Sequence, residues 1–415
     1  MPEPGEVEDD FVADPVGLRE ALDLLLEARA DPGSPHPESS IDLLSLKWPQ
    51  SGIGGRAALR ALAPASLNQA VRLDHPGFLA HMDPPTPWMT WAAAMWAAAM
   101  NQNVLHPDVG PAARELEKLV IDWLAPAFGM GGGHLVPGST VANLTALWAA
   151  RELTGARRVV CSAAAHLSIR KSAHLLGLEL VEVPVDAAQR LSAELLDDDL
   201  TDAIVVLVAG TVAAGAIDPL SAGGGAAWRH VDAAWAGPLR LSSHADLLEG
   251  IQTADSVAVS AHKWLYQPKG CAAVLFRDPD SALAPLTFGG GYLAAPNVGL
   301  LGSAGDRALP LAATLLGWGR KGVAARIDAD MALAGRLAEI ISAAEDLELW
   351  REPVTGVVNW RPRRSPAVQI RMRLDGAWVS TAAIGDEIWL RSVCVNPHAD
   401  PEVVVEEVRR AARAG

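Results

Sequence analysis

His230-Val231-Asp232-Ala233-Ala234-Trp235, followed by Ser260-Ala261-His262-Lys263-Trp264, decides how this chain is read. Each segment starts on or just after a short apolar run and carries one charged residue at the end of that run. Comparable runs occur at Val159–Cys161, Leu180–Pro184, Ile204–Val208, Val257–Ser260 and Ala273–Phe276, with helical stretches or long crossovers between them. That alternation predicts an α/β fold with a mainly parallel sheet from about residue 131 to 276. Open sheets of this kind bind ligands beyond the carboxyl ends of their strands, which is where Asp232 and Lys263 fall.

The flanks are more helical. Leu18–Ala30 has helical periodicity, and Asp31–Ser40 is rich in Pro, Gly and Ser and reads as a loop. The acidic first 15 residues or so are expected to fray. Trp88–Gln102 is apolar nearly all round, so it belongs in the core or at a subunit contact. Glu115–Trp123 is amphipathic. After about residue 310 come a helical stretch, strands at Val368–Met372 and Glu387–Ser392, and a closing helix at Pro401–Ala414. Glycine triplets at 131–133, 223–225 and 289–291 read as loops. The expected division is a helical extension over 1–80, a large domain over 81–315 and a small α+β domain over 316–415.

Composition narrows the function. Half of the 415 residues are apolar and the net charge is −15. Such an acidic chain is a poor partner for nucleic acid or an anionic membrane surface. The longest apolar run, Trp91–Met100, has ten residues, too few to span a bilayer. Cys161, Cys271 and Cys394 are isolated and read as reduced, buried residues of a cytoplasmic protein, and no signal peptide is visible at the start. The histidines lack metal-ligand spacing, so no metal site is expected.

Five segments carry candidate chemistry. Lys263, just past a buried strand, is placed as a Schiff-base lysine would be, although a surface lysine after a strand is the plainer alternative. Asp232 ends another strand. It could pair with the ring nitrogen of pyridoxal 5'-phosphate (PLP) and keep the ring an electron sink, or it could simply cap a turn. Ala233 and Ala234 would leave room for a flat ring. Gly138-Ser139-Thr140 opens a helix and suits a phosphate, unless Ser139 only N-caps it. His166, after the strand Val159–Cys161, could lie over the ring or be structural. Gly210-Thr211 forms another strand-end loop near the same crevice.

The order of these motifs resembles the group II PLP-dependent amino-acid decarboxylases, which include the aromatic-amino-acid, glutamate, diaminobutyrate and cysteine-sulfinate enzymes. The matching runs are His75-Pro76, His81-Met82-Asp83-Pro84-Pro85, Asn101-Gln102-Asn103, Gly110-Pro111 through Glu117, Gly138–Leu144, His166-Leu167-Ser168, Gly210-Thr211, His230–Ala234, His262-Lys263-Trp264, Leu390-Arg391 and Asn396-Pro397. The resemblance implies a type I PLP-dependent transferase fold and a homodimer with its active sites at the interface. It implies decarboxylation of an L-amino acid to an amine and carbon dioxide. Lys263 would carry the cofactor, Asp232 would meet the ring nitrogen and His166 would stack on the ring. Ser139, Thr140 and His262 would contact the phosphate, with Thr211 and Ala234 also lining the cofactor. His81, Pro84 and Arg391 would border the substrate, and Trp88 and Trp91 could form an apolar wall or pack elsewhere. Arg72 and His81 could instead meet an acidic side chain.

Three departures stand out. Stretch 294–307 holds no tyrosine where many family members carry one on a mobile loop. Val141 replaces an acidic residue, and Val212 a second threonine. The first departure keeps oxidative deamination, lyase or transaminase chemistry as alternatives. A non-catalytic paralogue is a third reading, disfavoured because a scaffold needs neither Lys263 nor Asp232.

Overall fold

The computed structural model describes residues 11–30, 48, 50–290 and 297–414. The expected frayed start up to residue 10 and the Asp31–Ser40 loop lie outside the described residues. Ten helices are described: α1 (Pro15–Ala30), α2 (Gly55–Ala63), α3 (Trp88–Met100), α4 (Pro111–Leu124), α5 (Ser139–Thr154), α6 (Leu167–Leu176), α7 (Pro279–Leu283), α8 (Ala308–Ser342), α9 (Ala367–Arg373) and α10 (Pro401–Arg413). The large sheet comprises β1 (Gly132–Val136), β2 (Arg158–Ser162), β3 (Glu179–Val183), β4 (Ala203–Val208), β5 (Trp228–Asp232), β6 (Ser256–Val259) and β7 (Ala272–Phe276). Its spatial order is β1-β7-β6-β5-β4-β2-β3. β3, β2, β4, β5 and β6 run parallel, while β7 pairs antiparallel with β6 and with β1. The parallel strands are continuous apolar runs because helices cover both faces: every residue of β4 and β6 is buried.

A short pair, β8 (Thr287–Phe288) and β9 (Asn297–Val298), follows. The C-terminal sheet, β10 (Leu347–Leu349), β11 (Val357–Pro362), β12 (Ser380–Ile384) and β13 (Glu387–Val393), is antiparallel in the order β10-β11-β13-β12. α8 connects the two sheets and kinks at Gly319, whose φ of 60° and ψ of 175° are non-helical.

Three expectations are corrected. The glycine triplet at 131–133 is not all loop, since Gly132 and Gly133 belong to β1. A Cβ on Gly133 would lie 2.0 Å from the Val274 carbonyl oxygen, so the strand approaches β7 there only because the side chain is absent. Val368–Met372 is not a strand but most of α9. Its alternating pattern misleads: Ile370 is buried, while Val368 and Met372 are exposed, so the alternate residues share no face. Pro366 precedes the helix. Lastly, of the two places expected for α3, the core is excluded. Trp88, Met95, Trp96 and Met100 are all exposed, and only Thr90 and Ala93 are buried.

Asp330, in the middle of α8, anchors the segment after Lys263. Its carboxylate accepts hydrogen bonds from Trp264 Nε1 at 2.7 Å and from the Tyr266 hydroxyl. Tyr266 has a left-handed φ of 59°, unusual for a side chain of its size, and this hydrogen bond helps to hold it there. Burial pushes the Asp330 carboxyl up to about 7. The folded protein therefore binds this proton more tightly than the unfolded chain, whose carboxyl titrates near 3.8. The resulting stabilisation is full below about pH 4 and is lost as pH rises through about 7, by up to about 4 kcal/mol. Asp330→Asn cannot ionise. The difference in thermal midpoint between wild type and Asp330→Asn should therefore shift in favour of the variant from pH 5 to pH 8; a difference constant with pH would refute the assignment.

Candidate active site

β5 and β6 lie side by side and deliver Asp232 and Lys263 at their carboxyl ends. The two turns that follow are locked by their tryptophans. Trp235 and Trp264 are fully buried and stack with centroids 4.5 Å apart and planes inclined by 16°. Trp235 Nε1 donates to Thr355 Oγ1 at 3.2 Å, which ties the turn to the segment before β11.

Lys263 is partly buried and, among the described residues, its amine has no hydrogen-bond or ion-pair partner. Burial lowers the pKa of this amine, and the positive charges of Lys269 and Arg391 lower it further, against the opposing pull of Asp232 and Asp83. Asp232 is buried. One oxygen accepts from Asn143 Nδ2 at 2.9 Å and the other from the Ala234 amide at 3.1 Å. Turn-capping and site roles thus coexist in one carboxylate.

His166 precedes α6, and its Nδ1 accepts from the Ser168 amide at 3.2 Å, so the ring caps that helix. Desolvation lowers its pKa. Ser139 does not cap α5; the N-cap is Gly138 and no side chain caps this end. The first amides of α5 are thereby left for a ligand. His262 lies against this start, its Cε1 3.6 Å from where a Cβ on Gly138 would stand. Burial holds the His262 imidazole down to about 4, so it is neutral. Residues far apart in sequence thus form one cradle with Ser139 and exposed Thr140. Thr211, buried, accepts from the Ala216 amide at 3.1 Å and shapes the loop after β4. A Cβ on Gly210 (φ 96°) would meet Trp235 Cδ1 at 2.6 Å.

The C-terminal sheet contributes Arg391, which is buried, with its guanidinium brought down to about 10 by desolvation. Its Nη1 donates to Ser380 Oγ at 3.2 Å, and the Ser380 hydroxyl donates to the Ala80 carbonyl at 2.6 Å. His81 and Asp83 lie within electrostatic reach of Arg391. Asp83 forms an ion pair with Lys269, and desolvation lowers the His81 pKa. Arg72 is not brought to the site as a free cation. Its guanidinium donates to the carbonyls of Ala28 and Arg29 at 2.7 and 3.0 Å and to Asp74, holding the end of α1. Trp88 is exposed and lines a cavity with Tyr266, Trp318 and Asn396 whose walls include neither Lys263 nor Asp232, while Trp91 donates to Thr86 Oγ1 and lies under Arg29. No tyrosine occurs among residues 297–307; residues 294–296 and Tyr292 lie outside the described residues.

Sequence reasoning missed the layer beneath Asp232. His230 Nε2 lies 3.0 Å from Asn143 Oδ1, and His230 Nδ1 lies 2.9 Å from Ser256 Oγ. Asn143 Nδ2 also reaches Ser168 Oγ at 2.9 Å. A strand has a period of two, so His230 and Asp232 share a face, and that periodicity was the available signal.

These residues fit PLP. They include an unpaired amine, a buried carboxylate, and an uncapped helix start with a neutral imidazole beside it for a phosphate. No cluster suited to a metal ion occurs among the described residues.

Residues 64–363 match the family model described as the pyridoxal-dependent decarboxylase conserved domain. The chain is 31% identical to an L-2,4-diaminobutyrate decarboxylase of Rhizobium meliloti, covering 86% of this chain and 81% of that one. It is 25% identical to an aromatic-L-amino-acid decarboxylase of Bacillus atrophaeus, covering 93% and 92%. The fold matches the crystal structure of Oryza sativa TDC with PLP and tryptamine, with a TM-score of 0.87 at 21% identity, over 100% of this chain and 99% of that one. It has the type I PLP-dependent fold, a large mainly parallel sheet with a smaller C-terminal sheet.

Proposed function

The chain belongs to the pyridoxal-dependent decarboxylase family, and from that premise we propose how its residues carry out PLP-dependent decarboxylation of an L-amino acid to an amine and carbon dioxide. It is a PLP-dependent carboxy-lyase, and its sequence relatives favour amine formation over the aldehyde-forming alternative. The observation that carries the residue assignment is the unpaired amine of Lys263 locked beside Asp232 by the Trp235–Trp264 stack.

The chemistry the cofactor supplies when bound is a ring that accepts the electron pair left on Cα as carbon dioxide departs. The protein's part is to hold and orient. Lys263 would carry the cofactor covalently, its lowered pKa raising the fraction of neutral, nucleophilic amine. Asp232, whose two oxygens both act as acceptors, would hold a proton on the ring nitrogen. His166 would cover one ring face and Ala234 would leave the other open. Ser139, Thr140 and His262 would bind the phosphate at the start of α5, with Thr211 closing the rim. Arg391 would orient the substrate carboxylate, the low-dielectric surroundings strengthening their attraction, and His81 and Pro84 would border the substrate side chain.

We also propose a homodimer with its active sites at the interface. The exposed Trp88, Met95, Trp96 and Met100 of α3, with Leu316 of α8 beside them, form an apolar surface of the kind monomers rarely leave uncovered. A second copy of the chain is the occupant this surface suits. The buried free cysteines support a cytoplasmic setting, and no helix among the described residues is long and apolar enough to cross a membrane.

Incubation with PLP and a panel of L-amino acids should yield an amine and carbon dioxide from at least one of them; aldehyde with ammonia and peroxide would replace the decarboxylase assignment. Borohydride reduction should leave a pyridoxyl group on the peptide containing Lys263, and Lys263→Ala should abolish both label and turnover. Arg391→Met should raise KM at least about tenfold, the value of a charge-assisted hydrogen bond; an unchanged KM would remove Arg391 from the substrate site. Trp96→Glu should shift the sedimentation coefficient from dimer to monomer, whereas an intact dimer would place the interface elsewhere.

A further inference from the structure

Beneath Asp232 runs a continuous set of buried hydrogen bonds linking β5, β6, α5 and α6. Trp228 Nε1 donates to Ser256 Oγ at 2.8 Å. Ser256 Oγ meets His230 Nδ1, His230 Nε2 meets Asn143 Oδ1, and Asn143 Nδ2 meets both Asp232 Oδ2 and Ser168 Oγ. Ser168 Oγ lies 2.8 Å from His166 Nδ1. His230, Asn143, Ser168 and Ser256 are all fully buried.

The direction of every proton in this set follows from one fact. Asp232 accepts at both oxygens, Oδ1 from the Ala234 amide and Oδ2 from Asn143, so Asn143 turns its amide nitrogen to Asp232. Asn143 Oδ1 then faces His230 and requires a proton on Nε2. His230 Nδ1 is left as an acceptor for the Ser256 hydroxyl, which itself accepts from Trp228. On the other side, the second Asn143 N–H goes to Ser168 Oγ, whose hydroxyl proton is left for His166 Nδ1. The Ser168 amide independently requires the same of His166, because it also donates to Nδ1. His166 therefore carries its proton on Nε2. Burial keeps His230 down at about 4, consistent with a neutral ring.

We propose that His230 and Asn143 are positioning residues: they hold Asp232 aimed at the cofactor ring nitrogen and, through Ser168, fix the His166 tautomer that faces the ring. This rests on the assignment of Asp232 and His166 to PLP above. Neither His230 nor Asn143 touches substrate in this scheme. Their effect is transmitted through Asp232, whose remaining lone pairs stay free for the ring nitrogen because the Asn143 and Ala234 N–H groups occupy only part of its acceptor capacity. A buried network of this kind is valuable only when every member is satisfied.

The test compares His230→Gln with His230→Leu, two side chains of similar size. The glutamine amide can donate to Asn143 Oδ1 as Nε2–H does, whereas leucine cannot and leaves that oxygen unpaired. His230→Leu should lose PLP affinity about tenfold, the value of one buried hydrogen bond. Its kcat should fall with KM near wild type. His230→Gln should stay within about threefold of wild type on both measures. Equal losses in the two variants overturn the proposal, since they would reflect packing alone. A second measurement does not depend on either variant folding. In ¹⁵N-histidine spectra of the wild-type holoenzyme, His166 and His230 should both appear as neutral Nε2–H tautomers, and an Nδ1–H form of either overturns the relay. A wild-type chain that takes up no PLP on Lys263 would sink the cofactor assignment instead, and is scored separately by the borohydride label.

Discussion

The stack of Trp235 on Trp264 is the contact on which the site depends. Asp232 and Lys263 sit at the ends of neighbouring strands, but a strand end alone fixes neither the height nor the rotation of the side chain beyond it. Two buried indoles, 4.5 Å apart, turn two flexible turns into one rigid unit. Such an aromatic pair contributes about 0.5–1.5 kcal/mol beyond the area it buries. Its surroundings are fitted to it: Gly210 and Gly356 leave room where a Cβ would press on the rings, and Asp330 anchors Trp264 from α8. The large sheet, the helix that leaves it and the small sheet therefore meet at a single aromatic contact.

Much of this is legible in the sequence, and the limits have physical causes. The parallel strands announce themselves because both of their faces are covered, which demands uninterrupted apolar runs. β1 does not, because its glycines exist to let β7 approach, and glycine reads as loop when the partner strand is unknown. α9 reads as a strand because Val368, Ile370 and Met372 alternate, while only Ile370 finds a core to enter. For α3, composition alone leaves core and contact open; only neighbours distinguish the two, and they leave most of its large side chains bare. Lys263, Asp232 and His166 are visible because their chemistry demands particular residue types at strand ends. Asn143, Ser168 and Ser256 are not, since an amide or hydroxyl at a helix or strand position has many ordinary uses and acquires this one only through contacts made across the fold.

Electrostatically, the site inverts the character of the molecule. The chain is acidic overall, yet Lys263, Lys269 and Arg391 gather in one crevice against Asp232 and Asp83. The histidines there are held neutral by burial, so they serve as hydrogen-bonding groups of fixed direction and add no further positive charge. A cofactor phosphate and a substrate carboxylate would meet a local concentration of positive charge that the acidic chain as a whole lacks.

The cradle at the start of α5 has a consequence for how the molecule is made. Gly138 emerges from the ribosome well before His262, which completes the pocket, and the Asn143 contact with Asp232 closes a long loop as well. Contacts of such high sequence separation form late, after the chain has met the entropy of closing them. The nascent α5 end can attract a phosphate only weakly by itself. The cradle is therefore complete only once β6 stands beside α5 and brings His262 to it.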